Sequence, residues 1–77
     1  MAQYQVGDYI KAVFKDEKTG ESEWIWVKVQ GSDDALRVVF GELDTDPITL
    51  RSLRLGMQLA VSFDNIREHR TESSFKQ

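Results

Sequence analysis

Catalysis needs nucleophilic or titratable side chains that converge, and this sequence offers few. His69 is its only histidine, and it has no cysteine. The serines, Ser22, Ser32, Ser52, Ser62, Ser73 and Ser74, lack the strand-to-helix elbow that exposes a nucleophile. The glycines are too scattered to form a loop that cradles phosphate. Glu42, Asp44 and Asp46 could present three oxygens to a cation. Calcium, however, takes about six to eight oxygen ligands from a loop shaped to hold them, so a solvated acidic turn before Pro47 is the simpler reading. The sequence points to no enzyme, no metal and no cofactor.

Recognition is the chemistry left, and the tryptophans are its best candidates. In Trp24-Ile25-Trp26-Val27-Lys28-Val29 the aliphatics recur every second residue, the period of a strand with one buried face. If Ile25, Val27 and Val29 point inward, Trp24 and Trp26 point outward with Lys28. Paired indoles on one face form an aromatic patch of the kind enriched at binding hot spots. Tyr9 and Arg37 would extend it from neighbouring strands if the register places them beside it. The competing reading puts at least one indole over a barrel mouth or beneath the Thr45–Leu55 crossover.

Charge suggests the sort of partner. Thirteen acids face ten bases, for a net charge of −3. Residues 1–46 carry ten of the acids and five of the bases, and residues 47–77 are net positive. Asp33, Asp34, Glu42, Asp44 and Asp46 occupy loop-like stretches, as do Asp16, Glu17, Glu21 and Glu23. If these acids project from one end, they offer a negative surface to a basic protein. Nucleic acid is the alternative ligand, because small barrels stack bases on aromatic rings inside a basic groove. Arg51, Arg54, Arg67 and Arg70 would have to supply that groove, and a pI near 5.0 weighs against phosphate attraction as the main force.

These residues need a scaffold, and the two-residue beat supplies one. Strands are expected over Tyr9–Phe14, Trp24–Val29, Leu36–Phe40 and Met57–Phe63, with a short fifth about Ile66 after a break at Asp64-Asn65. In the third, Leu36, Val38 and Phe40 alternate with Arg37 and Val39. Asp16–Gly20 and Gly31–Asp34 read as turns, and Pro47 ends the third strand because it cannot donate to a ladder. Residues 48–55 fit either one helical turn or an extended crossover, with Gly56 turning the chain into the next strand. An open sheet this small would leave two bare edges and little core. The expected fold is therefore all-β: an SH3-like small barrel of about five antiparallel strands over residues 1–70, with 71–77 as a frayed polar tail.

Several of these residues also resemble a known family. Glu23-Trp24-Ile25-Trp26-Val27-Lys28-Val29, then Gly41-Glu42-Leu43 through Asp46-Pro47, then Leu55-Gly56 with Val61 and Ile66, look like the YegJ-like small bacterial proteins, a domain family of unknown function. The similarity runs from about Gly7 to His69. Met57 stands where that family usually has an aspartate, and Glu68-His69 replaces its closing Asp-Trp. The resemblance implies a bacterial or phage origin and, through neighbouring toxin–immunity-type genes, an interaction role.

The remaining totals narrow the setting. Seventy-seven residues allow one small domain. A secreted domain of this size would usually carry disulfides, so a cytoplasmic protein is expected, as a monomer or weak homodimer. No apolar run reaches the roughly 20 residues of a membrane span, and Met1–Gln5 lacks the features of a secretory leader. The combined expectation is a non-catalytic protein-interaction module, with inhibitor or immunity-type partner of phage or prophage origin as a role.

Overall fold

The computed structural model describes residues 3–50 and 53–71. Arg51 and Ser52 of the crossover, and residues 72–77 of the expected tail, lie outside the described residues. Among the described residues five strands form: β1 (Tyr9–Lys15), β2 (Ser22–Asp33), β3 (Val38–Leu43), β4 (Gln58–Ser62) and β5 (Ile66–Arg70). A 3-10 turn at Phe63–Asn65 joins β4 to β5. All ladders are antiparallel, in one sheet of order β4-β3-β2-β1-β5. The expected all-β class is therefore present. The sheet is not closed, because β4 and β5 remain its two edges.

Alternation sets the inner face. Ile10 and Ala12 of β1, Ile25, Val27 and Val29 of β2, Val39 and Leu43 of β3 and Val61 of β4 are all buried. Each fully buried aliphatic contributes about 1.5–3 kcal/mol. The sheet wraps this face around Tyr4 from the amino-terminal segment, with Phe14, Leu53, Leu59, Phe63 and Ile66 partly buried against it. The ladder between β1 and β5 runs only from Tyr9 to Ala12. Beyond it, an open cleft of about 500 Å³ separates Val13, Phe14 and Lys15 of β1 from Ala60 and Val61 of β4. This cleft is where the curled sheet stops short of meeting itself.

The third strand differs from the sequence expectation in both position and face. Leu36 and Arg37 belong to the turn, Leu36 is 69% exposed, and Phe40 is 46% exposed on the outer side. Two local features shift the strand. Asp33 Oδ1 accepts the Leu36 N–H at 3.1 Å, and Arg37 takes the left-handed conformation at φ 56°. That conformation costs a non-glycine residue about 1–2 kcal/mol. The offsetting contacts are a Phe63 N–H bond to the Arg37 carbonyl at 3.0 Å and the Arg37 guanidinium over the Phe63 ring. A bulge between Val29 and Gly31 then resets the pairing of β2 with β3.

Gly41 sits on the inner face of β3, opposite Val29. A Cβ there would overlap the Lys28 carbonyl oxygen and lie 2.6 Å from Val27 Cγ1. The strands approach so closely here that only glycine fits, which gives Gly41-Glu42-Leu43 a packing reason.

Residues 48–55 are not helical among the described residues. Leu50 is buried, and the Leu53 N–H donates to the Leu50 carbonyl at 3.2 Å. Gly56, at φ 86°, makes the turn into β4 and donates its N–H to the Leu43 carbonyl at 2.8 Å.

Candidate functional site

With Ile25, Val27 and Val29 committed to the core, the pleat sends Trp24, Trp26 and Lys28 to the opposite side of β2. Register supplies their neighbours. Val13 pairs with Trp24, Lys11 with Trp26, and Tyr9 with Lys28. On the far side of β1, Glu68 pairs with Lys11 and Arg70 with Tyr9. On β3, Glu42 faces Lys28. Three of the four residues expected to make the contact face, Trp24, Trp26 and Tyr9, thus share one outer surface of the β1–β2 pair.

Cations are interleaved with the rings on this surface. Lys11 Nζ lies 5.5 Å from the Trp24 ring centroid and 6.0 Å from that of Trp26. The Arg70 guanidinium lies 5.9 Å from the Trp26 ring. Lys15 lies two residues beyond Val13 on the same face of β1, diagonal to Trp24. Along the diagonals the order is therefore Lys15, Trp24, Lys11, Trp26, then Arg70 and Lys28. The neighbouring acids are Glu42, Glu68 and Asp44. Glu68 is held by Arg70 at 3.0 Å, and the Asp44 N–H continues the ladder to the Trp26 carbonyl at 2.8 Å. Trp24 is 50% exposed, and Trp26 is partly covered. The Trp26 N–H is satisfied by Thr45 Oγ1 at 2.8 Å, which fixes the backbone beneath both rings.

Arg37 lies elsewhere. It sits in the turn between β2 and β3, at the end of β2 remote from the indoles, and pairs with Asp64 at 3.2 Å. Trp26 and Asp33 are seven strand residues apart, about 24 Å at 3.4 Å per residue. The acids are likewise divided. Asp33 and Asp34 share that far end, Glu42 is on the outer face, and Asp44 and Asp46 follow the opposite end of β3. They do not project from one end. Among the described residues no three acidic or histidine side chains gather closely enough to hold a metal ion. Of the arginines considered for a basic groove, Arg70 joins the tryptophan face. The Arg67 guanidinium donates to the Asp64 carbonyl through Nη1, and Arg51 lies outside the described residues.

Two polar contacts gave no strong signal in the sequence. Glu23 points to the inner side of β2, and its carboxylate accepts the N–H groups of Ile48, Thr49 and Leu50 at 2.9, 2.9 and 3.0 Å. Those bonds, from Ile48 first, hold the Glu23 carboxyl below its ordinary range. The side chain thereby pins the crossover to the start of β2. In the second contact, His69 belongs to β5, and its Nε2 lies 2.7 Å from Asp8 Oδ2. Asp8 also accepts the Gln5 N–H at 3.1 Å, and Tyr4 packs edgewise on the His69 ring at 4.8 Å. This cluster fastens the amino-terminal segment to the last strand. The Ser32 hydroxyl donates to the Tyr4 carbonyl at 3.1 Å.

Comparison of the chain with family models, curated proteins and solved structures returns no match. No helix among the described residues is long and apolar enough to cross a membrane.

Proposed function

We propose that this chain is a non-catalytic interaction module, and that its contact surface is the outer face of the β1–β2 pair. One observation carries the reading: Trp24 and Trp26 stand on the solvent side of a sheet whose core needs neither ring. Large aromatics held on a rigid strand present contact area at low entropic cost. Trp24, Trp26 and Tyr9 are its anchors, and Lys11, Lys28 and Arg70 take the place beside them that Arg37 held in the sequence reading.

The reading extends to architecture. A five-stranded sheet in this order, with a 3-10 turn between its edge strands, supports an SH3-like small barrel left open at the β1–β4 cleft. The YegJ-like resemblance is part of the same proposal, since Gly41 and Glu23, both within its motifs, have packing and anchoring roles specific to this fold. An inhibitor or immunity-type role of bacterial or phage origin, in the cytoplasm, fits a small module with a prebuilt face. The divided acids favour a basic protein only as a secondary contact.

The double variant Trp24→Ala/Trp26→Ala tests the face. It should fold, with a stability loss of about 1–2 kcal/mol from the cation–π contacts removed, and should lose a partner that the wild-type chain retains. Collapse of the fold would assign both rings to structure, and retention of the partner by a folded variant would remove the face.

A further inference from the structure

The order of groups on the outer face suggests the ligand class. Two indoles at alternate positions of one strand stand about 7 Å apart, commensurate with successive bases of an extended single strand. Cations lie before, between and after them: Lys15, Lys11, then Arg70 with Lys28. An apolar peptide would use the rings and offer no anion to Lys15, or to Lys11 and Lys28 beyond their cross-strand neighbours Glu68 and Glu42. An acidic peptide would use the ammonium groups and leave the indoles without stacking partners. A second copy of this face would oppose lysine to lysine across the contact. A polymer that alternates planar π systems with anions satisfies both sets at once.

We propose that this face binds single-stranded nucleic acid without sequence preference, bases stacking on Trp24 and Trp26 and phosphates paired with Lys11, Lys15 and Lys28. This inference rests on the contact-face reading and names its occupant. Pairing of two or three phosphates and two stacking contacts set the affinity.

The test is fluorescence anisotropy of a fluorescein-labelled twelve-nucleotide thymidine oligomer titrated with the full chain at about 20 mM salt, then at rising salt. Nonspecific binding of this kind gives a Kd of about 1–100 µM, with a log–log salt slope of about −1.5 to −2 for two or three phosphates on a single strand. The Trp24→Ala variant should weaken binding about five- to hundredfold. The same oligomer annealed to its complement should bind less well, because its bases are already stacked. Lack of any anisotropy change overturns the assignment, as does binding unaffected by Trp24→Ala. Equal, Trp24-dependent binding of polyglutamate also overturns it, in favour of an acidic protein, while leaving the contact face intact. The face itself is lost only if the double tryptophan variant unfolds or keeps its partner, so the two failures are distinguishable.

Discussion

Replacing Gly41 with alanine tests the inner face at one atom. The added Cβ would meet the backbone carbonyl of Lys28 and would lie 2.6 Å from Val27 Cγ1. That is about 1 Å inside the 3.5–4.0 Å optimum for two carbons. Val27 is fully buried, so its methyl has no vacant space to enter. The carbonyl belongs to the β2–β3 ladder and cannot retreat without stretching it. Overpacking of this kind costs about 1–3 kcal/mol. A domain of this length has a total stability of roughly 4–12 kcal/mol, and each kcal/mol lowers the midpoint of a small domain by about 4–8 °C. Gly41→Ala should therefore melt about 8–16 °C below wild type for a 2 kcal/mol loss. Gly31→Ala is the control, since a Cβ at Gly31 meets nothing within 4 Å and its backbone is outside the left-handed region. Thermal unfolding followed by far-ultraviolet circular dichroism, with urea titrations at fixed temperature, separates the two. Equal midpoints for both variants would refute the close approach of β2 and β3, and with it the packing account of Gly41-Glu42-Leu43.

Leu43→Ala removes a fully buried side chain and should cost about 2–5 kcal/mol, read as a fall in urea midpoint. Glu23→Gln should destabilise the fold at neutral pH. The folded Glu23 carboxyl titrates below its ordinary value of 4.5, so its contribution is full above that value and is lost as pH falls through the lower folded one. The gap in melting temperature between wild type and Glu23→Gln should accordingly close on acidification, whereas a constant gap from pH 7 to pH 3 would deny the three-amide anchor. With each quencher normalised to free N-acetyltryptophanamide, iodide should quench the fluorescence of Trp24 in a Trp26→Phe variant more than caesium does at equal ionic strength, because Lys11 and Lys15 flank that ring. Stronger quenching by caesium would mean that the nearby acids govern the local field.

The reach of the sequence is clearest in β2. There, aliphatics and larger residues alternate without interruption, so both the strand and its two faces follow from the order of the residues alone. The 3-10 break at Asp64-Asn65 and the fifth strand at Ile66 were legible for a similar reason, since a polar pair interrupts an apolar beat. The third strand was not, because Leu36-Arg37-Val38-Val39-Phe40 supports either phase. The choice is made by the Asp33 side chain, the left-handed Arg37 and a bulge, none of which has a period. The phase that would bring Arg37 to the tryptophan face is the one these features exclude. Lys11, Arg70 and Glu23 illustrate a second kind of loss. Their partners lie 13 or more residues away in sequence, and only pairing register brings a lysine of β1 and an arginine of β5 to the indoles of β2.

Net charge misdirects for a related reason, since a sum discards position. The chain is acidic overall, yet Asp33 and Asp34 stand about 24 Å or more from the indoles along β2, by the rise of a strand. At physiological ionic strength charges are screened over about 8 Å, so those aspartates scarcely alter the potential at Trp24. Lys11 lies within 6.0 Å of both rings and dominates there. A ligand that touches only the β1–β2 surface therefore meets Lys11, Lys15, Lys28 and Arg70 interleaved with Glu42, Glu68 and Asp44 rather than the net charge of the chain, with Glu68 already engaged by Arg70. The acidic balance still acts on the long approach at low salt, where it opposes a polyanion, but it does not decide the contact. Pairing geometry decides it, by setting which cations the rings have as neighbours.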